Sequence, residues 1–384
     1  MAWSDPKAWT ADDLLTASDL NQYVSDNLSA LYALVQGGGR KNLLHNGAMQ
    51  VHQRVAISTG VTGITATGYY TADRWVSTIS SIGTWTQSIE ADAPTGSGFR
   101  KSLKMLCTTA DASPAAGDVH LLSQHIEGQN LQSIKKGTAS AEPITLSFWT
   151  KSNKTGTYVV ELADADNTRA VSATYTVASS GTWEQQSVTF PADLTGAFNN
   201  DNELSVTLNF WLGAGTTWTS GTLATTWAST TSANRAVGQT NLAASTNNYW
   251  QITGVQLEVG SAATGFEFKG FEQELAECQR YYWRVSGNNQ TIGPAFARTA
   301  LDCYAPILFA VPMRGTAAID VANSAGYYTA SLGSSDYTFA TLLFTNASST
   351  GGLITAATTG MTIGYAGWLR CSNASSYVGF SADL

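Results

Sequence analysis

The chain has 384 residues and a formal net charge of −8, from 20 Lys plus Arg against 28 Asp plus Glu. Charged residues make up 12%, about half the usual share of roughly 25%, while 43% is apolar. This balance excludes a basic nucleic-acid binder and a disordered polyelectrolyte, and no apolar run reaches the roughly 18 residues of a membrane span. The surface must be built from Ser, Thr, Asn, Gln, Gly and Ala, which suits secreted or particle-borne β-proteins better than cytosolic enzymes. The opening Met1-Ala2-Trp3-Ser4-Asp5 has neither a basic nor an apolar signal region, so folding in a reducing cytoplasm is expected. There Cys107, Cys278, Cys303 and Cys371, none in a CxxC pair, act as small core residues. His45, His52, His120 and His125 lack metal-ligand spacing.

Residues 1–40 read as helical. Thr10 caps a short turn, and Ser18 caps a longer helix opened by Asp19. Val24, Leu28, Leu31 and Val35 follow at spacings of four, three and four, and Gly37-Gly38-Gly39 stops the helix. That stripe needs cover. Copies of itself about a three-fold axis, a larger particle or the chain's own β-domain would each provide it. Trp3 and Trp9 precede it as docking anchors.

Residues 41–270 read as an antiparallel β-sandwich of jelly-roll type. Val206, Leu208, Phe210 and Leu212 alternate with Ser205, Thr207, Asn209 and Trp211. Ile144, Leu146 and Phe148 alternate with Thr145, Ser147 and Trp149. Tyr158, Val160 and Leu162 repeat the pattern, Glu184 to Phe190 forms another strand, and Trp250 opens one that runs to Val259. Turn residues cluster between them. Residues 213–248 break the pattern, as a long loop or hairpin holding Trp218 and Trp227. Phe271, Leu275, Cys278, Tyr282 and Val285 then predict a linking helix over 271–286. Residues 287–384 return to β signals and read as a small second β-domain.

Several segments, in order, resemble one family. Asn42-Leu43-Leu44-His45-Asn46-Gly47 through Arg54, Tyr70-Thr71-Ala72-Asp73-Arg74-Trp75, and Ile144 through Lys151 resemble landmarks of a carbohydrate-binding-like jelly roll found in tailed-phage fibre proteins. Gly254-Val255-Gln256-Leu257-Glu258-Val259-Gly260, Phe271 through Tyr282, and Pro312-Met313-Arg314 are similar to its later landmarks. Trp9 through Leu31 resembles virion-attachment segments. The resemblance implies a homotrimeric virion fibre, assembled in the host cytoplasm, anchored to other virion proteins through residues 1–40 and binding host-surface glycan. It implies neither nucleic-acid binding nor membrane insertion.

Sugar recognition uses aromatic faces with amide and carboxylate partners. Trp149, Trp211, Trp218, Trp227, Tyr327, Tyr328 and Trp368 are the candidate contacts, the last three on a distal tip. The resemblance also raises a structural calcium, with Asp73, Asp164, Asp166 and Glu258 as ligands; no other cofactor is expected. A head or neck fibre, or a decoration protein, is the alternative. A polysaccharide depolymerase fits less well: there is no G-x-S-x-G elbow and no nucleophile and base stand out, so no enzymatic activity is expected.

Overall fold

The computed structural model describes residues 16–19, 24, 41–55 and 59–384. Trp3, Trp9, Leu28, Leu31 and Val35 lie outside the described residues. A helical turn at Ala17–Asp19 is capped by Thr16 rather than Ser18. The Thr16 hydroxyl accepts from the Asp19 N–H at 3.1 Å, and the Asp19 carboxylate accepts from the Thr16 N–H at 3.1 Å. This is a capping box with Asp three residues after the cap, which satisfies donors at both ends of the turn. Val24 is exposed.

The sandwich is built from β1 (Val61–Ile64), β2 (Gly68–Tyr69), β3 (Val76–Ser80), β4 (Thr84–Glu90), β5 (Ser102–Thr109), β6 (Val119–Glu127), β7 (Ile144–Ser152), β8 (Gly156–Asp164), β9 (Arg169–Val177), β10 (Glu184–Phe190), β11 (Leu204–Ala214), β12 (Ala228–Ser229) and β13 (Tyr249–Val259). They form a six-stranded sheet in the order β1-β4-β5-β13-β7-β10 and a seven-stranded sheet in the order β12-β9-β8-β11-β6-β3-β2. All pairs are antiparallel. The period-two residues meet between the sheets: Leu146, Phe148, Val160, Leu162, Leu208, Phe210, Trp250 and Ile252 belong to one core with Trp75 and Trp85. Burying a side chain of this size contributes about 1.5–3 kcal/mol.

The opening segment is sewn onto this core by its asparagines. The Asn42 amide donates to the Val255 carbonyl at 3.0 Å, and its oxygen accepts from Leu44 and Leu257 N–H. Asn46 donates to the Val51 and Asp73 carbonyls, and Trp75 Nε1 donates to the Asn46 carbonyl at 3.2 Å. These landmark residues satisfy buried backbone groups that would otherwise cost about 1–3 kcal/mol each.

The linking helix is shorter than the apolar spacing predicts. It spans Phe271–Gln279, and Tyr282 to Val285 lie in β14 (Tyr282–Ser286). The run Tyr282-Trp283-Arg284-Val285 is aromatic and β-branched, and it pairs with a strand nearly 100 residues on, which no local period reveals. The second β-domain therefore begins within the expected helix. It continues with β15 (Thr291–Ala297), β16 (Asp302–Leu308), β17 (Ala318–Val321), β18 (Tyr328–Leu332), β19 (Ser335–Phe339), β20 (Leu343–Thr345), β21 (Gly351–Ala357), β22 (Ala366–Cys371) and β23 (Tyr377–Ser381). A three-stranded sheet, β14-β23-β17, and a seven-stranded sheet, β19-β18-β22-β15-β16-β21-β20, enclose a second core. All four cysteines are buried and unpaired.

Candidate functional site

The sandwich has two outer faces, and they differ. On the seven-stranded sheet, alternation turns Trp211 outward, yet Trp211 is fully buried. Residues 215–247 fold over it. They contain a short helix at Thr216–Thr219, the edge strand β12 and 3-10 turns at Ser232–Asn234 and Leu242–Ala244. Trp211, Val119, Leu121, Val159 and Ala236 make a satellite core, with half-buried Trp218 and Leu223 against it. Beneath the loop runs a polar row. The Ser123 hydroxyl donates to Asn209 at 2.6 Å, Asn209 donates to Glu161 at 2.9 Å, and Arg235 from the loop grips Glu161 through two N–H donors at 2.6 and 2.8 Å. Trp211 is thus a cover residue rather than a ligand contact. Trp227 is half-buried against the main core, and its Nε1 donates to the Pro191 carbonyl at 2.9 Å.

On the outer face of the six-stranded sheet, Gln251 and Thr253 of the central strand are buried, and Trp149, Lys151, Lys104 and Tyr249 around them are half-buried. Register places Trp149 beside Thr253 and Gln185, and Lys151 beside Gln251, which in turn stands opposite Lys104. Trp250 points into the core, so its neighbours Tyr249 and Gln251 point out. Lys104 Nζ lies 4.9 Å from the Tyr249 ring centroid. Trp183, just before β10, donates through Nε1 to Asp92 at 3.2 Å, and Lys151 Nζ pairs with the same carboxylate at 2.8 Å. Burial alone would raise the Asp92 pKa. Hydrogen bonds from Lys151 and Trp183, the Lys151 charge and a hydrogen bond from Gln251 outweigh it and hold the carboxyl below its ordinary value.

The result is an ionised acceptor among three half-exposed aromatics. Trp149 and Tyr249 stand four residues apart along the sheet, about 14 Å at the usual strand rise. One end of this face is closed by Phe99, Phe266 and Phe268, whose centroids lie 4.9 to 5.1 Å apart. Phe99 packs over the bulge in β13 at Gly254, where φ is +63° and a Cβ would sit 2.5 Å from the ring. Only glycine fits there.

Of the residues expected to contact a ligand, Trp149 alone lies on this face. Asp92, Trp183, Tyr249, Gln251, Lys104 and Lys151 escaped sequence reasoning. Alternation from Trp149 and Trp250 could have found Lys151, Tyr249 and Gln251, and alternation of Leu103 and Met105 in β5 could have found Lys104; Asp92 and Trp183 arrive from outside the strands they face. In the second domain Tyr328 is fully buried, its hydroxyl lying 2.8 and 2.7 Å from the Ala322 and Tyr377 carbonyls and donating its one proton between them, and is a core residue. Tyr327 is half-buried against the same core, and Trp368 is exposed.

The expected calcium ligands do not gather. Asp73 is held by Arg54 and Gln53. Asp164 pairs at 2.6 Å with Lys136, whose buried ammonium also meets Asp193 and stands where a cation would. Asp166 accepts from the Asn199 N–H and amide, and Glu258 accepts from Thr264 and Gln256. His45, Glu274 and Glu277 do converge, but Glu277 already pairs with His45 at 2.8 Å and Lys269 at 2.7 Å. Depressions of about 280 Å³ beside Lys135 and Phe198 and about 240 Å³ beside Leu343 and Thr355 are smaller than usual ligand cavities. The sheet face, rather than either depression, presents convergent groups.

The sequence matches no protein-family model and no curated protein. Among solved structures it is similar to the enzymatically active domain of tailspike protein 4 of bacteriophage CBA120, at 15% identity and a TM-score of 0.30, over 57% of this chain and 21% of that one. It is also similar to TmCBM61 in complex with β-1,4-galactotriose, at 9% identity and a TM-score of 0.29, over 57% of this chain and 99% of the module. The CBM22-1 xylan-binding domain from Paenibacillus barcinonensis matches at 11% identity and a TM-score of 0.25, over 59% of this chain and all of that one. At these values the likenesses carry no argument about what the chain does, and the chain spans about a fifth of the tailspike.

Proposed function

We propose that this protein is a homotrimeric fibre of a tailed-phage virion that attaches non-catalytically to host-surface glycan through the half-exposed aromatics on the outer face of the six-stranded sheet. The observation that carries the glycan part is Asp92, held ionised between Lys151 and Trp183, with Trp149 and Tyr249 on either side. Sugars offer hydroxyl donors to such a carboxylate and apolar C–H faces to the rings. A glycosidase acid must instead keep its proton, which requires a raised pKa. The depressed Asp92 pKa speaks against a general-acid role for this carboxylate and suits it to accepting hydrogen bonds from sugar hydroxyls. The virion and trimer parts rest on the resemblance of the landmark segments and on the charge-poor, β-rich composition.

The test is retention of the full chain by host polysaccharide in affinity electrophoresis. Trp149→Ala with Trp183→Ala is expected to weaken retention at least tenfold and Asp92→Asn several-fold, with the melting temperature of Asp92→Asn within about 2 °C of the parent. Undiminished retention by both variants would remove this face as the binding site. Release of reducing sugar by the parent chain would overturn the non-catalytic reading.

A further inference from the structure

In the seven-stranded sheet of the second domain, β22, β15, β16, β21 and β20 carry apolar residues on both sides, while β18 and β19 place Thr329, Ser331, Asp336 and Thr338 on the outer one. Ala295, Ala305, Ile307, Ala330, Ile354 and Leu369 fill the core behind it. On the other side Phe296 pairs with Tyr304, Tyr304 with Thr355, and Thr355 with Leu343, a continuous cross-strand row. Two residues along the strands, Pro294, Trp368, Pro306 and Leu353 make a second row. Leu308 is 85% exposed, Leu343 62%, Trp368 53% and Phe296 39%. Antiparallel sheets that face water on one side alternate apolar and polar, whereas a sheet apolar on both sides is one covered on both sides.

We infer that this face is covered by the same face or its neighbour on a second copy of the chain. Three observations select that occupant. The five strands that carry the rows, about 4.8 Å apart and three to seven residues long, outline on the order of 500 Å², more than half of the roughly 800 Å² each partner gives to a standard interface. The charges on or beside the two rows are Arg298, over the Tyr304 ring, Asp302 two residues before Tyr304, and the Arg370–Asp336 pair at 3.0 Å, equal in number of each sign. A face so nearly neutral, on a chain of net charge −8, meets its own copy without the repulsion that the rest of the surface would impose. The face also carries a knob and a hole: Leu308 stands proud, and the depression of about 240 Å³ lies beside Leu343 and Thr355. A surface holding both halves of a contact is fitted for association with itself. The inference rests on the multi-chain part of the proposed function and not on its glycan part. It moves Trp368 from receptor contact to subunit contact.

The experiment uses the full chain with Leu343→Cys, and separately Trp368→Cys, both at exposed positions where the parent cysteines are buried. Mass is measured by light scattering, and short bis-maleimide cross-linking by denaturing gel. The expected result is a multiple of the 40.6 kDa chain mass and a copy-to-copy cross-link from both positions. Adding Phe296→Glu should reduce the cross-link at least tenfold while glycan retention is unchanged. A monomer at about 100 μM overturns both this face and the multi-chain reading. A multimer whose two introduced thiols do not cross-link overturns the face alone.

Discussion

His120 shows how far one residue's chemistry follows from its position. It faces inward on β6, its ring centroid 4.2 Å from that of Trp85 at a tilt of 56°, and neither ring nitrogen has a hydrogen-bond partner. Burial lowers its pKa to about 3, so the folded chain holds it neutral. The unfolded chain protonates it near pH 6.5. As pH falls below 6.5 the unfolded state takes up a proton that the folded state refuses, and stability drops by about 1.4 kcal/mol per pH unit. His125, also lowered by burial, acts in the same direction. Urea unfolding at pH 7, 6 and 5 should show this slope, and His120→Leu should remove one proton's worth of it. An unchanged slope in the variant would mean that water reaches His120 in the fold. Strand period alone makes His120 an inward residue, but the lack of any partner depends on what β4 and β11 place around it.

At the scale of the element, the strand patterns and the long loop divide differently between sequence and structure. The alternation in β7, β8, β10 and β11 is a local property, and the strands fall where it predicts. Trp211 obeys that alternation and still ends up dry, because residues 215–247 return across the sheet. Nothing in the spacing of a loop records which surface it will cover. What fixes it there is the Arg235–Glu161 pair, with a fully buried carboxylate. Arg235→Ala leaves that carboxylate without its cation and should cost about 3 kcal/mol, with faster hydrogen exchange confined to the loop. A loss below about 1 kcal/mol with unchanged exchange would assign the loop's anchoring to Trp218 and Leu223 instead. The linking helix illustrates the same limit. Its apolar spacing continues to Val285, but β23 offers a ladder from Tyr282 onward, and the strand residues take it.

For the whole molecule, the two β-domains are joined by more than the helix between them. Arg280 grips Glu127 of β6 through two N–H donors, and Tyr281 donates its hydroxyl to the same carboxylate. Arg314 donates to the Asn202 carbonyl at 2.9 Å and pairs with Glu203. Arg54 meets Asp383 at 2.6 Å while stacking on Tyr282. Burial would raise the Glu127 pKa; the bonds from Arg280 and Tyr281, the Arg280 charge and a bond from Gln129 bring it below the ordinary value. A depressed carboxylate stabilises the fold above its unfolded pKa of about 4.3 and ceases to do so as pH falls through the lower folded value. The junction should therefore keep its polar hold down to about pH 4.3 and loosen only below it, after protonation of the unfolded chain at His120 has already begun to weaken the sandwich. At neutral pH, Arg280→Ala is expected to cost about 2 kcal/mol, less than a fully buried pair because the guanidinium is partly exposed. Calorimetry should resolve it as a second-domain transition moving below the sandwich transition. A single unsplit transition at the parent temperature would show that the polar contacts do not hold the domains together.

The sequence by itself determined the fold class and the positions of β7, β8, β10, β11 and β13, because alternation and turn chemistry act over a few neighbouring residues. It also marked Trp149 as an outward aromatic. Only the tertiary structure decided which outward residues stay wet. Burial of Trp211 under a loop, withdrawal of Tyr328 into a core, neutralisation of Asp164 by Lys136 and delivery of Asp92 and Trp183 to Trp149's face all join segments distant in the chain. Such pairings are set by how sheets and loops close over one another, and no local spacing encodes them.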